Sequence, residues 1–144
     1  MIPHGARAKK WLRILWFAAI AVVIVASLLP SSSLPMRALD WLDLSDKLEH
    51  ALAYFVLALL PTLHERRSFI AVAALGAAGL GVALEYGQLY SGWRDFEVGD
   101  MIADAVGVCV GVSTGLPLRS SRFIRSLLEE KAEDSRKTAA TLRR

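Results

Sequence analysis

Four apolar blocks separated by short charged segments dominate the hydrophobic pattern of the chain. They cover about residues 11–29, 47–63, 69–90 and 98–118. A helix needs roughly 20 apolar residues to cross about 30 Å of hydrocarbon. The pattern therefore predicts an all-α fold, a four-helix transmembrane bundle that forms one membrane domain over residues 1–118 and is followed by a tail, 119–144.

Basic residues are concentrated in alternate connections between these blocks. The segments 1–13, 64–68 and 119–144 hold 14 of the 17 Lys and Arg residues, and only Arg37, Lys47 and Arg94 lie elsewhere. Such segments are retained on the cytoplasmic side of a membrane. We therefore expect both termini in the cytoplasm, and we expect the starts of the second and fourth blocks and the end of the third to lie on the outer side.

Composition narrows the class of protein further. The chain is 54% hydrophobic with a net charge of +3, but its basic residues flank apolar blocks and do not line an element with stacking aromatic residues, which argues against nucleic-acid binding. The single Cys109 excludes an intrachain disulfide, and its apolar surroundings predict a small core residue. In the tail, Phe123 and Leu127 at helical spacing among arginines predict a short amphipathic helix on anionic lipid.

Ionisable residues inside the apolar blocks need an explanation, since such residues face the protein interior or a wet cavity. Asp46, His50 and Tyr54 share one face of the second helix, Glu85 and Gln88 share a face of the third, and Asp100 and Asp104 share a face of the fourth. We expect these faces to meet in one outer layer. The candidate ligand-binding residues are Asp46, Lys47, His50, Tyr54, Glu85, Gln88, Arg94, Asp100 and Asp104.

Small residues on the fourth block carry a packing signal. Gly107, Gly111 and Gly115 form two overlapping G-x-x-x-G steps, which allow close approach of helix backbones in a membrane. Packing within the monomer is favoured over dimerisation, and the sequence leaves the oligomeric state open.

Three functions fit the polar cluster. The first is binding of an exofacial ligand, namely a lipid head group or a glycan. The second is a membrane-embedded hydrolase or transferase acting on a lipid-linked substrate, in which His50 and the carboxylates act as general base or as ligands of a divalent cation. The third is a structural or assembly protein whose polar plug fixes helix register. No catalytic motif is recognisable, so no catalytic residue and no cofactor is assigned, and ligand binding is favoured.

The residues resemble the VanZ-like integral membrane protein family over about residues 40–116. The similar stretches are "DKLEHALAYFVLALL", "EYGQLYSGWRDFEVGD" and "DMIADAVGVCVG". They carry the D-K-x-x-H-x-x-x-Y, E-x-x-Q, R and D-x-x-x-N-x-x-G pieces of that family. Asp104 stands where the family pattern more often has Asn, and this change bears on ligand specificity.

The resemblance implies a multi-pass protein of the bacterial cytoplasmic (inner) membrane that acts at the cell envelope. The family takes its name from a protein associated with low-level resistance to the glycopeptide antibiotic teicoplanin. Together with the polar cluster, the resemblance favours membrane lipids as partners and a lipid head group, a glycan-linked lipid or a glycopeptide as the ligand, and it does not name a reaction.

Overall fold

A computed structural model describes residues 4–30, 33, 45–92 and 96–121. Within these ranges the chain is entirely helical, with no strand, and the helices are α1 (His4–Leu28), α2 (Asp46–His64), α3 (Arg67–Ser91) and α4 (Val98–Ser120). The all-α prediction is confirmed. Each helix contains most or all of one predicted block, and α1 begins seven residues earlier than the predicted span. The predicted tail helix and Arg94 lie outside the described residues.

Within the described residues, three helices are long and apolar enough to cross a membrane, namely α1 from Lys9 onward, α3 and α4. Helix α2 is not among them, because Asp46, Lys47, Glu49 and His50 occupy its first two turns and shorten its apolar part. Its crossing of the membrane stays a prediction. Large apolar side chains such as Trp11, Val72, Leu75 and Ile102 are exposed, as expected for helices that contact lipid.

Helices α2 and α4 form a close parallel pair through the glycines of α4. A Cβ atom on Gly107 would collide with the Ala51 carbonyl oxygen, and one on Gly111 would lie 2.5 Å from the Phe55 carbonyl oxygen. One on Gly115 would lie 2.6 Å from Cγ2 of Thr62. Since only a hydrogen fits at these points, the predicted role of the glycines in packing within the monomer is confirmed.

Helix α3 runs antiparallel to α4, and α1 runs antiparallel to α2. Gly81 of α3 lies against the Asp104 side chain of α4, while Glu85, one turn later, reaches the residue before α4. In α1, Trp16 contacts the middle of α2, and Arg13 pairs with Glu65 just beyond the end of α2 at 2.5 Å. The start of α1 and the end of α4 therefore lie at the same end of the bundle.

Pro61 lies inside α2, and the structure compensates for the hydrogen bond that it removes. Proline has no N–H, so the Leu57 carbonyl four residues earlier lacks its helical donor. The Trp16 indole Nε1 donates to this carbonyl oxygen at 2.9 Å. Near the end of α2, Arg119 donates to the Thr62 carbonyl oxygen at 3.2 Å. These side chains tie α1 and α4 to α2 through backbone acceptors that would otherwise be unpaired.

The apolar core lies between α2, α3 and α4 and consists of Tyr54, Leu57, Ala58, Ala77 and Val108. Cys109, next to Val108, is exposed. The expectation that Cys109 is a core residue was therefore wrong. An apolar run in a membrane helix has a lipid-facing side as well as a protein-facing side, and periodicity in a uniformly apolar run does not distinguish the two.

Candidate functional site

Ionisable side chains from three helices meet at one end of the bundle. We call this group the polar layer. It is formed by the first two turns of α2 and of α4, by one residue preceding α4, and by the last two turns of α3. Its members are Asp46, Lys47, His50, Glu85, Glu97, Asp100 and Asp104. The expected convergence of the three helix ends is thus seen in the described residues.

His50 lies at the centre of the polar layer, between two carboxylates of α4. Its Nδ1 atom is 2.9 Å from Oδ1 of Asp104, which is a hydrogen-bonding distance. Its Nε2 atom is 3.7 Å from Oδ2 of Asp100, which is too long for a hydrogen bond. Because Asp100 and Asp104 are one turn apart, their carboxylates lie beside the two different nitrogens of one imidazole ring.

Lys47 lies at the exposed edge of the polar layer. Its Nζ atom is 2.8 Å from Oε2 of Glu97 and 3.5 Å from Oδ1 of Asp100. The aliphatic part of its side chain crosses Gly99, where a Cβ atom would lie 2.8 Å from the Lys47 Cε atom. Lys47 therefore joins the first turn of α2 to the first turn of α4. Since its side chain is 57% exposed, the pairs add little stability.

Glu85 is buried, and its carboxylate binds the start of α4. Its Oε2 atom accepts a hydrogen bond of 3.1 Å from the backbone N–H of Glu97, the N-cap residue of that helix. A carboxylate at this position complements the partial positive charge of a helix N-terminus. Glu85 also lies within electrostatic range of His50, Asp100 and Asp104.

The other sequence-predicted site residues are placed differently. Gln88 is buried, and its Nε2 atom donates to the Ser27 carbonyl oxygen in the last turn of α1 at 3.1 Å. Tyr54 belongs to the apolar core and lies within electrostatic range of Asp104 and Glu85. Asp46 is exposed at the start of α2 and lies near His50 and Asp100.

Carboxylates outnumber the basic groups that contact them in the described part of the polar layer. The carboxylates are those of Asp46, Glu85, Glu97, Asp100 and Asp104, and the basic side chains are those of Lys47 and His50. Glu85, Asp100 and Asp104 are each at most 4% exposed. Burial of an ionised carboxylate costs several kcal/mol unless a positive charge or hydrogen-bond donors offset it. The polar layer is therefore suited to binding positive charge or hydrogen-bond donors.

Glu97 is the member of the polar layer that is absent from the sequence-predicted site. It binds Lys47 through its side chain and Glu85 through its backbone. Its position just before an apolar block was a usable signal, because the unpaired backbone N–H groups at the start of a helix attract carboxylates. Its contact with Lys47 depends on the tertiary pairing of α2 with α4, which spacing along the chain does not reveal.

The described geometry suits two kinds of chemistry. An imidazole oriented by a buried carboxylate can act as a general base or as a metal ligand, while the exposed carboxylates and Lys47 can bind hydroxyl, ammonium or anionic groups. No family model, curated protein or solved structure matches the chain. The resemblance to VanZ-like proteins therefore stays a prediction.

Proposed function

We propose that the chain is a VanZ-like protein of the bacterial inner membrane, with four spans and both termini in the cytoplasm, and that the polar layer binds a cell-envelope ligand from outside. The observation that carries this proposal is the position of His50, which lies between Asp104 and Asp100 near the starts of α2 and α4. Ionisable residues within membrane-spanning segments are expensive and are characteristic of functional sites.

The exposure of the polar layer supports entry of a ligand from one side. The side chains of Lys47 and Glu97 are 57% and 51% exposed, whereas those of His50 and Asp100 are 12% and 6% exposed. A ligand would meet the exposed pair first and then reach the imidazole. Carboxylates accept hydrogen bonds from hydroxyl and ammonium groups, which are abundant on lipid head groups, glycan-linked lipids and glycopeptides.

The contacts place six of the nine predicted site residues in two groups. Glu85 and Gln88 bind backbone groups at the ends of α4 and α1, which supports a positioning role for both. Asp46 and Lys47 are exposed, and His50 and Asp100 lie behind them with side chains 12% and 6% exposed. We assign ligand contact to these four. If the polar layer had only a structural role, substitutions of all of these residues would change the stability of the protein and nothing else.

An enzymatic function is the second candidate, and the His50–Asp104 hydrogen bond favours it. A buried carboxylate on Nδ1 orients the imidazole so that Nε2 can accept a proton from water or from a substrate hydroxyl. Such an enzyme would be a hydrolase or transferase acting on a lipid-linked substrate. It predicts reaction products among the copurifying lipids, whereas a binding protein predicts intact lipids.

Mass spectrometry of copurifying lipids tests the proposed function. The full chain would be purified in mild detergent as wild type, His50→Gln and Lys47→Gln, with Glu49→Gln as the matched control. Glu49 lies in the same turn of α2, but its side chain makes no hydrogen bond or ion pair with the described residues and is not among the groups that act on His50. We expect one head-group class to be enriched in the wild type and the control and depleted in the two polar-layer variants.

Identical lipid profiles in all four proteins would reject ligand binding by the polar layer. The link to glycopeptides has its own readout, the teicoplanin susceptibility of cells that express each variant at equal abundance. Protection by wild type and Glu49→Gln but not by His50→Gln is the result expected if a glycopeptide or its lipid-linked target is the ligand.

A further inference from the structure

We infer that Asp46, His50 and Asp100 bind a divalent transition-metal ion, with Asp104 as the positioning residue for His50. One ligand atom from each of the first three side chains lies within 4.8 Å of the other two. Two of the ligands are four residues apart on α2, and the third lies in the first turn of α4. The pairing of α2 with α4 therefore assembles the site.

The distance between His50 and Asp100 fits ligands of one ion better than a direct contact. The Nε2 atom of His50 and Oδ2 of Asp100 are 3.7 Å apart, beyond the range of a hydrogen bond. Ligand atoms bound at about 2.0–2.2 Å to one ion lie roughly 3–3.5 Å from each other. A small side-chain movement would bring Nε2 and Oδ2 to that separation, with the ion between them.

Asp104 fixes which nitrogen of His50 is available to the ion. A carboxylate that accepts the proton of Nδ1 leaves the lone pair of Nε2 for a metal, and metal-binding histidines commonly have such a partner. Here Oδ1 of Asp104 is 2.9 Å from Nδ1, and the Nε2 side faces Asp100.

Burial of the Asp104 carboxylate favours a positive charge on the other side of the His50 ring. The residue is 2% exposed, and its Oδ2 atom, which lies toward Gly81 of α3, has no hydrogen-bond partner among the described residues. A buried carboxylate with an unpaired oxygen is costly unless a nearby positive charge offsets it. An ion bound to Nε2 would polarise the His50 ring and so stabilise the negative charge of Asp104.

The ligand set also indicates the class of ion. One imidazole nitrogen with two carboxylate oxygens suits Mn²⁺, Fe²⁺ or Zn²⁺ better than an all-oxygen site would. Three protein ligands leave open positions for water or for an oxygen of a bound molecule. The inference goes beyond the proposed function, because the ion binds whether or not an envelope ligand is present.

Titration with Mn²⁺ tests the inference directly. The full chain in nanodiscs would be stripped with EDTA, and loss of the electron paramagnetic resonance signal of free Mn²⁺ would measure binding. We expect one tight site per chain in the wild type and in Glu49→Gln. Asp46→Asn, a change at an exposed position, should weaken binding at least tenfold, and His50→Gln should abolish it.

Asp104→Asn separates positioning from ligation. Loss of the carboxylate partner of a metal-binding histidine lowers affinity roughly 10- to 100-fold without removing the site. Circular dichroism and gel filtration would establish that each variant is folded. If His50→Gln does not fold, the Mn²⁺ affinity of Asp46→Asn tests the inference. Absence of Mn²⁺ binding by the wild type, or equal binding by Asp46→Asn and Glu49→Gln, would overturn the inference. Neither result would change the outcome expected in the lipid-copurification test of the proposed function.

Discussion

The Nδ1 atom of His50 lies 2.9 Å from Oδ1 of Asp104, and this bond joins α2 to α4 inside the bundle. His50→Leu would leave the Asp104 carboxylate buried without its partner, and we expect a loss of about 3–5 kcal/mol in the free energy of unfolding. Asp104→Asn keeps an acceptor for Nδ1 and should cost less. Denaturation of the variants in detergent, followed by circular dichroism, measures both effects.

The double variant His50→Leu/Asp104→Asn serves as the control for this pair. Since a neutral amide in place of the Asp104 carboxylate needs no imidazole partner, the two changes should not add, and we expect a coupling of about 1.5–3 kcal/mol. Strict additivity would mean that the two side chains do not support each other in the folded protein.

The glycines of α4 predict a position-dependent response to alanine. Gly111→Ala places a Cβ atom 2.5 Å from the Phe55 carbonyl oxygen, so α2 and α4 must move apart. We expect destabilisation of about 1–3 kcal/mol. Gly76→Ala is the matched control, since nothing lies within 4 Å of its Cβ position, and it should be neutral or stabilising by about 0.5–1 kcal/mol. Equal effects at the two positions would contradict the close contact of α2 with α4.

Trp16 and Pro61 are predicted to be coupled through the Leu57 carbonyl. Trp16→Phe removes the indole donor to this carbonyl and should cost about 1–3 kcal/mol for the buried acceptor left unpaired. Pro61→Ala restores the helical N–H to the same carbonyl. Unfolding of the double variant Trp16→Phe/Pro61→Ala should therefore show a partial rescue relative to Trp16→Phe. Absence of rescue would assign the effect of Trp16 to packing alone.

Gln88 is predicted to support the fold without contacting a ligand. Gln88→Met keeps the volume of the side chain but leaves the Ser27 carbonyl without the donor that it has at 3.1 Å. We expect a stability loss of about 1 kcal/mol together with an unchanged lipid profile in mass spectrometry. Loss of the enriched lipid in a folded Gln88→Met protein would return Gln88 to the ligand-binding group.

The sequence was sufficient to predict the helices, and much of the polar layer, for a clear physical reason. Charged residues at the ends of apolar blocks are costly in lipid, so topology and helical spacing together bring His50 near Asp100 and Asp104. The use of Gln88 and Glu85 at helix ends could not be predicted in this way. Their partners are backbone groups of Ser27 and Glu97, which carry no signal in the sequence.

The environment of Cys109 was not predicted correctly from the sequence. Cys109 and Val108 are adjacent and both apolar, yet Val108 is in the core and Cys109 is exposed. Asp100, Asp104 and the glycine steps share one face of α4 and indicated that this face packs against the protein. The apolar character of Cys109 gave no such indication, because lipid and protein interior favour the same residues.

Thiol labelling tests most directly whether the polar layer is open to the outside. Lys47→Cys would be introduced in a Cys109→Ala background, because Lys47 has a 57% exposed side chain and Cys109 is the only native thiol. Ser120 is exposed at the end of α4, at the opposite end of the bundle from Lys47, so Ser120→Cys is the control. A membrane-impermeant maleimide should label the Lys47→Cys protein in intact spheroplasts and the Ser120→Cys protein only after permeabilisation. The reverse pattern would contradict an outward-facing polar layer.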